Sequence, residues 1–479
     1  MNENPADLAP ELCVLIAAVL GLVSGLFLLR TGQWRVAVIC GAGPAAGLVA
    51  AGVAATRDDL MAFESLAIDP VTHTVRFAVL GTALLAVALA AGQVRDHPRE
   101  SEHYVLILFS ALGTMALGAS SDLLVLVGAY LLASIPAYAL AGFGKDAPGT
   151  EAALKYYLMG ALLGVLMLGG VTLLYGVGRG TSYMTLRENL GDAPAVAVAA
   201  GVVALLAGLL FKAGAVPGHF WVPDVAEGAP ASVAAFVTTV PKIGAFAALY
   251  RIGAEALPPG AAGWPALVAT IAAATMTLGN LAAFGQDNVR RLLAYSTVAQ
   301  AGYLLVPVAM AGRTDLARPA LLFYAAAYAV TNLGAFAVVV ATGRDDLRGQ
   351  TGLLRSSPLL GLSLVVCLLG FVGTPPTAVF VGKVLMFGAA LDGGHAWLAV
   401  VAAANTVASV FYYLRWIVPL FRRPDGLGDH PDAGQPGTGQ PGTGQPGVGR
   451  PGRGATAVAV TAAAMSLALG IGSGIALAP

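Results

Sequence analysis

The chain has 479 residues, of which 57% are hydrophobic and only 11% are charged. Because a soluble globular protein has about 25% charged residues, this composition excludes an ordinary water-soluble enzyme and indicates a protein solvated mainly by lipid. The 26 basic and 26 acidic residues cancel, so a nucleic acid or other strongly anionic partner is not indicated.

The N-terminal residues 1–11 are polar and acidic and lack the basic flank of a cleavable signal peptide, so we expect the first apolar span to be retained. Cys13, Cys40 and Cys367 lie inside apolar spans without a CxxC spacing. They therefore predict no disulfide, metal site or iron–sulfur cluster, and we expect no cofactor on this chain.

Fourteen apolar segments approach the length of about 20 residues that a helix needs to cross a bilayer. They lie near residues 11–30, 36–55, 75–93, 103–120, 122–142, 153–177, 195–217, 231–254, 264–285, 289–311, 318–341, 358–391, 396–421 and 455–478. Pro217 and Gly218 interrupt the seventh, and Gly373, Pro375 and Pro376 interrupt the twelfth. The sequence predicts an all-α polytopic membrane protein with about 14 transmembrane helices, of which helices 7 and 12 are broken.

Broken helices in corresponding positions of two halves are typical of transport sites built from inverted repeats. We therefore expect two inverted five-helix repeats. The predicted division is N-terminal helices 1–3 in 1–102, the first repeat (helices 4–8) in 103–256, the second repeat (helices 9–13) in 257–422, a Gly/Pro-rich flexible linker in 423–454, and helix 14 in 455–479. The linker repeats GQPGT and is interpreted as a spacer, with a docking role as the alternative.

The loop charges predict an orientation. If the N-terminus is outside, the cytoplasmic connections contain fourteen basic residues and the opposite connections seven. The positive-inside rule then places both termini outside the plasma membrane.

Lysine is rare in this chain, and its positions are informative. Of the 26 basic residues only five are lysines, and Lys155, Lys212, Lys242 and Lys383 lie within or at the ends of apolar spans. A charged lysine near the bilayer centre costs about 2.5–3.5 kcal/mol, so a buried one is a functional candidate. Lysine can lose its proton when it is buried, whereas arginine stays charged, so a row of buried lysines predicts a proton relay.

The alternative interpretation is that these lysines are structural. Each would either extend its ammonium group to the membrane interface (snorkelling) or form an ion pair. It fits Lys155 well, because Glu151 lies four residues earlier and such a pair is common at helix ends. It fits Lys242 and Lys383 poorly, since both lie far from the ends of their spans.

Motifs around the same lysines carry a family resemblance over about residues 105–420. They are, in order, FKAGAVPGHFWVPDVAEGAPASVAAFVTTVPKIGAF from Phe211, GNLAAFGQDNVRRLLAYSTVAQAGYLL from Gly279, TNLGAF from Thr331, GTPPTAVFVGKVLMF from Gly373 and NTVASVFYYLR from Asn405. The chain resembles the subunit N family of bacterial NADH:quinone oxidoreductase (complex I). Subunits L and M and Mrp-type antiporters usually have PDA instead of PDV, and a histidine where this chain has Thr238 and Thr239.

The resemblance implies a role for each lysine. Lys212 is similar to the helix-7 lysine that exchanges protons with the channel interior, Lys242 to the bridging lysine of helix 8, and Lys383 to the terminal lysine of helix 12. Glu151 and Lys155 match the start of helix 6. His219, beside the helix-7 break, is a candidate for cytoplasmic proton uptake, with a solvated loop histidine as the alternative.

The sequence departs from the family in three places. Aligning SIPAY with the family's SIPLY puts Leu131 where the family has the glutamate that pairs with the helix-7 lysine, and the neighbouring Tyr130 is not acidic either. Gln300 stands where the family usually has histidine, and Pro241 is expected to kink helix 8 just before its lysine. These departures predict either a divergent second copy of subunit N with impaired or rerouted pumping, or a path restored by water and acids such as Asp122 or Glu151.

We therefore expect a non-redox subunit of a proton-pumping NADH:quinone oxidoreductase, with the other membrane subunits of that complex as partners and quinone reduction elsewhere as the driving reaction. The alternatives are a subunit of an Mrp-like cation/proton antiporter and a non-pumping structural membrane subunit.

Overall fold

A computed structural model describes residues 4–423 and 452–476, so the predicted linker lies almost wholly outside the described residues. The long helices of the first half are α1 (Ala9–Phe27), α2 (Trp34–Ala54), α3 (Pro70–Gln93), α4 (Glu100–Ala119), α5 (Leu123–Ala141) and α6 (Ala147–Gly178). After the short α7 (Tyr183–Asn189) come α8 (Ala195–Ala213), α9 (Trp221–Gly228), α10 (Ala231–Val237) and α11 (Val240–Arg251).

The second half continues the helical bundle. Its helices are α12 (Trp264–Phe284), α13 (Val289–Ala309), α14 (Ala317–Thr342), α15 (Leu353–Ser356), α16 (Pro358–Val372), α17 (Ala378–Asp392), α18 (Ala396–Phe421) and α19 (Arg453–Ala476). Within the described residues, 13 helical segments are long and apolar enough to cross a membrane. The twelfth predicted span consists of two shorter helices, α16 and α17, and brings the number of spans in the described residues to fourteen. The prediction of a multi-pass membrane protein with a broken twelfth helix is therefore confirmed.

One short sheet was not predicted. Strands β1 (Leu60–Ala62) and β2 (Leu66–Ile68) form an antiparallel hairpin between α2 and α3. Three residues a strand are too few to give a recognisable alternation in sequence.

The eighth span is broken as well, which the sequence did not predict. Helix α10 ends at Val237, and α11 begins at Val240 after Thr239, whose φ and ψ are −117° and −72°. The N–H groups in the first turn of a helix have no partner within that helix, so a proline there breaks no helical hydrogen bond. Pro241 therefore lies at the start of α11 and does not kink a continuous helix. The kink expected at Lys242 is therefore corrected to an interruption at Thr238 and Thr239, which ends three residues before Lys242.

Local geometry repeats between the two halves. Asp122 caps α5 and forms a β-bridge with Ser182 after α6, while Asn288 caps α13 in the same way and forms a β-bridge with Asp346 after α14. Five membrane crossings separate the starts of α5 and α13, so the two turns lie on opposite sides of the membrane. This correspondence supports the two inverted repeats, whose boundaries stay a prediction.

At the breaks after α8 and α16, the two helices end with the same kind of cap. Gly214 after α8 and Gly373 after α16 both adopt positive φ, +69° and +85°. In each case the next residue, Ala215 or Thr374, donates its N–H to a carbonyl five residues earlier. This glycine cap stops a helix inside the bundle while keeping its last carbonyls bonded.

The core of the bundle lies along α11, α13 and α14. The span containing α10 and α11 is buried throughout, and those of α13 and α14 are buried for 94% and 83% of their most apolar windows. Their polar residues are therefore held inside protein, away from lipid, where a row of titratable groups can be maintained.

Candidate functional site

Lys212 lies in the last turn of α8 and is 1% exposed. Its Nζ donates to the carbonyl of Ala133 at 2.9 Å and to the hydroxyl of Ser134 at 2.9 Å, both on α5. The Nζ also lies 5.9 Å from the centre of the Tyr130 ring. Oxygen acceptors and the negative end of the α8 dipole thus stabilise a positive charge here.

Lys242 approaches the first break from the other side. It lies in the first turn of α11 and is buried, and within the described residues its Nζ has no hydrogen-bond partner. A Cβ added to Gly214 would lie 2.8 Å from that Nζ. The absence of a side chain at Gly214 therefore leaves room for the Lys242 ammonium close to the end of the helix that holds Lys212.

A cluster of hydroxyl and amide groups surrounds the break before α11. The Asn332 side-chain amide donates to the hydroxyls of Thr238 at 3.0 Å and Thr239 at 2.7 Å. Tyr328 donates to the carbonyl of Thr238 at 2.8 Å, and its hydroxyl oxygen lies 3.1 Å from that of Thr297. Buried polar groups need such partners, so the cluster both satisfies the broken backbone and extends polarity into α13 and α14.

The row continues along α13 to the second break. Gln300 lies three residues after Thr297, on the same side of the helix. Its amide donates to the carbonyl of Phe371 at 3.2 Å, and the same carbonyl accepts from Lys383 Nζ at 3.1 Å. Gln300 is therefore a neutral link between the central cluster and the last buried lysine.

Lys383 contacts the C-terminus of α16. Its Nζ donates to the carbonyl of Val372 at 2.9 Å and to the hydroxyl of Thr406 at 3.4 Å, and lies 4.4 Å from the centre of the Tyr303 ring. Carbonyls at a helix C-terminus and an aromatic face both favour a cation.

The electrostatics differ along the row. Among the described residues, none of the three buried lysines forms a salt bridge with a carboxylate. Lys212 lies at the C-terminus of its own helix α8, and Lys383 donates to carbonyls at the C-terminus of α16, whereas Lys242 lies near a helix N-terminus, whose dipole opposes a positive charge. The surroundings of the two outer lysines therefore favour a positive charge more than those of the middle one.

The structure corrects the position assigned to the missing acid. Leu131 is 44% exposed on the outer face of α5, whereas Tyr130 is buried and faces Lys212. An acid at position 131 would therefore point away from the lysine. Asp122 caps the start of α5, about 18 Å along the helix from Ser134, and so does not replace the acid.

Glu151 and Lys155 lie apart from the buried row. Lys155 is about half exposed and bonds to Glu151 at 2.8 Å and to Asp224 at 3.0 Å. Exposed pairs of this kind are worth little energetically. The pair is a surface contact between α6 and α9, and Glu151 is thereby unavailable to Lys212.

His219 is buried in the break between α8 and α9, with 4% of its surface exposed, so the alternative of a solvated loop histidine is wrong. Its ring lies 4.3 Å from that of Phe220. Within the described residues its Nδ1 has no hydrogen-bond partner.

Asn332, Thr297 and Tyr328 were missed as site residues by sequence reasoning. They come from spans far apart in the sequence, and none is charged. The only signal was indirect: Asn332 lies in the TNLGAF motif and Thr297 in the YSTVAQAGY motif.

Replacing Gly214 with alanine is expected to destabilise the protein by about 2–4 kcal/mol, because strain at positive φ adds to a clash with Lys242 and Val222. Gly343→Ala is the matched control, since Gly343 also has positive φ (+61°) but has open space around it. Thermal unfolding of the purified chain measures both. Equal losses of stability would contradict the close packing of Lys242 on Gly214.

Comparison with known proteins shows which protein family this chain is similar to. Residues 120–410 match the family model described as NADH:quinone oxidoreductase/Mrp antiporter, transmembrane. The chain is 51% identical to NADH-quinone oxidoreductase subunit N 1 of Streptomyces griseus over 477 residues, covering 100% of this chain and 98% of that protein. It is 52% identical to subunit N of Mycobacterium sp. (strain JLS) over 428 residues, covering 89% and 91%.

Solved structures show the same likeness. A chain of respiratory complex I from Thermus thermophilus superposes with a TM-score of 0.81 at 33% identity, over 98% of both chains. A chain of the Mrp complex from Dietzia sp. DQ12-45-1b gives a TM-score of 0.80 at 23% identity, over 100% of this chain and 96% of that one, and shows the fold alone. The chain therefore belongs to the NADH:quinone oxidoreductase/Mrp antiporter transmembrane family, among the relatives named subunit N.

Proposed function

We propose that this chain is a proton-translocating membrane subunit of an NADH:quinone oxidoreductase and performs no redox step itself. The observation that carries the proposal is the row of three buried lysines, Lys212, Lys242 and Lys383, each beside a helix break, with hydroxyls, amides and carbonyls lying between them. Buried charges without acid partners are costly, so a purely structural helix bundle gains nothing by keeping them.

The proposed path runs along this row. His219 takes up a proton at the first break and Lys212 holds it next to Ser134. Lys242 passes it toward the cluster of Thr238, Thr239 and Asn332. The path then follows α13 to Lys383. Water must bridge the gaps that side chains do not span, and charge changes near quinone reduction in other subunits would drive the cycle.

Two further proposals concern orientation and chemistry. The basic residue count supports a multi-pass protein of the plasma membrane with both termini outside. In the described ranges 4–423 and 452–476, no three His, Cys, Asp or Glu side chains are grouped to hold a metal ion. The second proposal is that partner subunits carry out the electron transfer.

One observation favours the interpretation as a structural subunit: among the described residues, no carboxylate pairs with Lys212. Proton transport into vesicles that contain the purified complex discriminates between a proton-translocating and a structural subunit. We expect transport per NADH oxidised to fall when the buried lysines are removed; a structural subunit predicts an unchanged ratio in every complex that assembles.

A further inference from the structure

A basic cavity of about 820 Å³ lies at one end of the bundle, where α12, α14 and α18 end. Its charged lining residues are Asp287, Arg344, Arg348, Arg415, Arg422 and Arg423. The one acid, Asp287, pairs with Arg415 at 3.3 Å. The described lining therefore has four positive charges in excess.

Such an excess is not general to the ends of this bundle. A second cavity, of about 470 Å³, is lined by Arg313 and Arg318 together with Asp315 and Asp392, so its charges balance. The basic cavity also lies on the side that the loop charges assign to the cytoplasm, where the anionic lipid surface of a cell membrane attracts basic groups.

Two of the arginines are fixed to the cavity wall by backbone carbonyls. Arg344 donates to the carbonyl of Gly349 at 2.6 Å, and Arg415 donates to that of Phe284 at 2.6 Å. Anchoring lowers the entropy lost when a guanidinium binds a ligand. The planar guanidinium fork matches the oxygen geometry of a phosphate group.

The surface next to the cavity is apolar and faces outward. Leu281 and Phe284 on α12 and Phe411, Leu414 and Val418 on α18 are exposed. Phe411 and Val418 lie four residues before and three residues after Arg415, on the same face of α18, so the charged cavity continues into this apolar surface. A ligand that fits both parts has an anionic head and hydrocarbon chains, whereas free phosphate would use only the first part.

We propose that this cavity binds the phosphate headgroup of an anionic phospholipid, whose acyl chains lie along the exposed faces of α12 and α18. The lipid would fasten the ends of three helices of the second half together at the membrane surface. The segment that follows Arg423 adds Asp425, Asp429 and Asp432 to the sequence outside the described residues, so the test uses the full chain.

The test places the full chain in nanodiscs that contain both phosphatidylglycerol and phosphatidylcholine. Native mass spectrometry then measures how much phosphatidylglycerol the purified chain retains. The Arg348→Gln/Arg422→Gln variant is expected to bind the anionic lipid about thirtyfold more weakly, since two basic contacts are removed. The matched control, Arg313→Gln/Arg318→Gln, changes the charge-balanced cavity equally and should retain the lipid as the unaltered chain does.

Equal retention by both variants would overturn the proposal. Displacement of the lipid by excess inorganic phosphate would also overturn it, because the site would then recognise phosphate without the hydrocarbon chains. Retention of phosphatidylcholine in place of phosphatidylglycerol would show that the arginines do not select the headgroup.

Discussion

Replacing Lys242 with methionine is expected to lower the number of protons transported per NADH oxidised while leaving the protein as stable as before, or more stable by up to about 3 kcal/mol. The stability expectation follows from the position of the side chain: it is fully buried, and within the described residues its Nζ has no hydrogen-bond partner. Removing a charge from such a site removes its burial cost.

A lysine kept for structure predicts the opposite pattern, with lost stability and unchanged transport. Thermal unfolding and proton transport by the same purified complex separate the two readings. Lys155→Met is the matched control, because Lys155 is exposed and bonded to Glu151 and Asp224, and its loss should change neither quantity measurably.

The second large effect is expected when a carboxylate is placed on α5. Tyr130→Glu should form an ion pair with Lys212, because Tyr130 is buried and faces that lysine. Adding Lys212→Met to Tyr130→Glu should then cost about 1–3 kcal/mol beyond the sum of the single substitutions, since the new carboxylate is left buried without a partner.

Leu131→Glu is the control for this cycle. Position 131 is on the outer face of α5, so its carboxylate would face lipid and lower stability by the same amount with or without Lys212. Unfolding of the four variants in each cycle gives the interaction energies. Coupling at position 131 and none at position 130 would reverse our assignment of the residue that faces the lysine.

This pair of positions also shows where inference from sequence stops. The motif SIPAY locates α5 and the neighbourhood of Lys212 correctly, but successive helix residues point about 100° apart. An alignment uncertain by one residue therefore exchanges the lipid-facing Leu131 for the buried Tyr130. Only the packing of α5 on α8 decides between them.

The helices themselves were predictable, because a bilayer requires apolar segments of a set length and composition. The breaks at Pro217 and Pro376 were predictable too, since proline and glycine interrupt helices. The break at Thr238 and Thr239 was not, because neither residue stops a helix by itself. Pro241 lacks the N–H that would bond to Val237, the last residue of α10. The hydroxyls at the break accept from Asn332, which lies 93 residues beyond Thr239.

The polar row was visible in sequence only through its lysines. Thr297, Gln300 and Asn332 become neighbours of the row because α13 and α14 pack in the core of the bundle. The substitution of glutamine for the family's histidine at position 300 keeps a hydrogen-bond link to Phe371 while removing a titrating group. The path is therefore expected to rely on water at this point.

The most direct test of the account is the ratio of protons transported to NADH oxidised in vesicles containing the complex with Lys212, Lys242 and Lys383 all replaced by methionine. We predict that the variant complex assembles and still reduces quinone, and that its ratio falls below that of the unaltered complex. An assembled complex with an unchanged ratio would contradict the account, because protons would then cross the membrane without this chain's buried lysines.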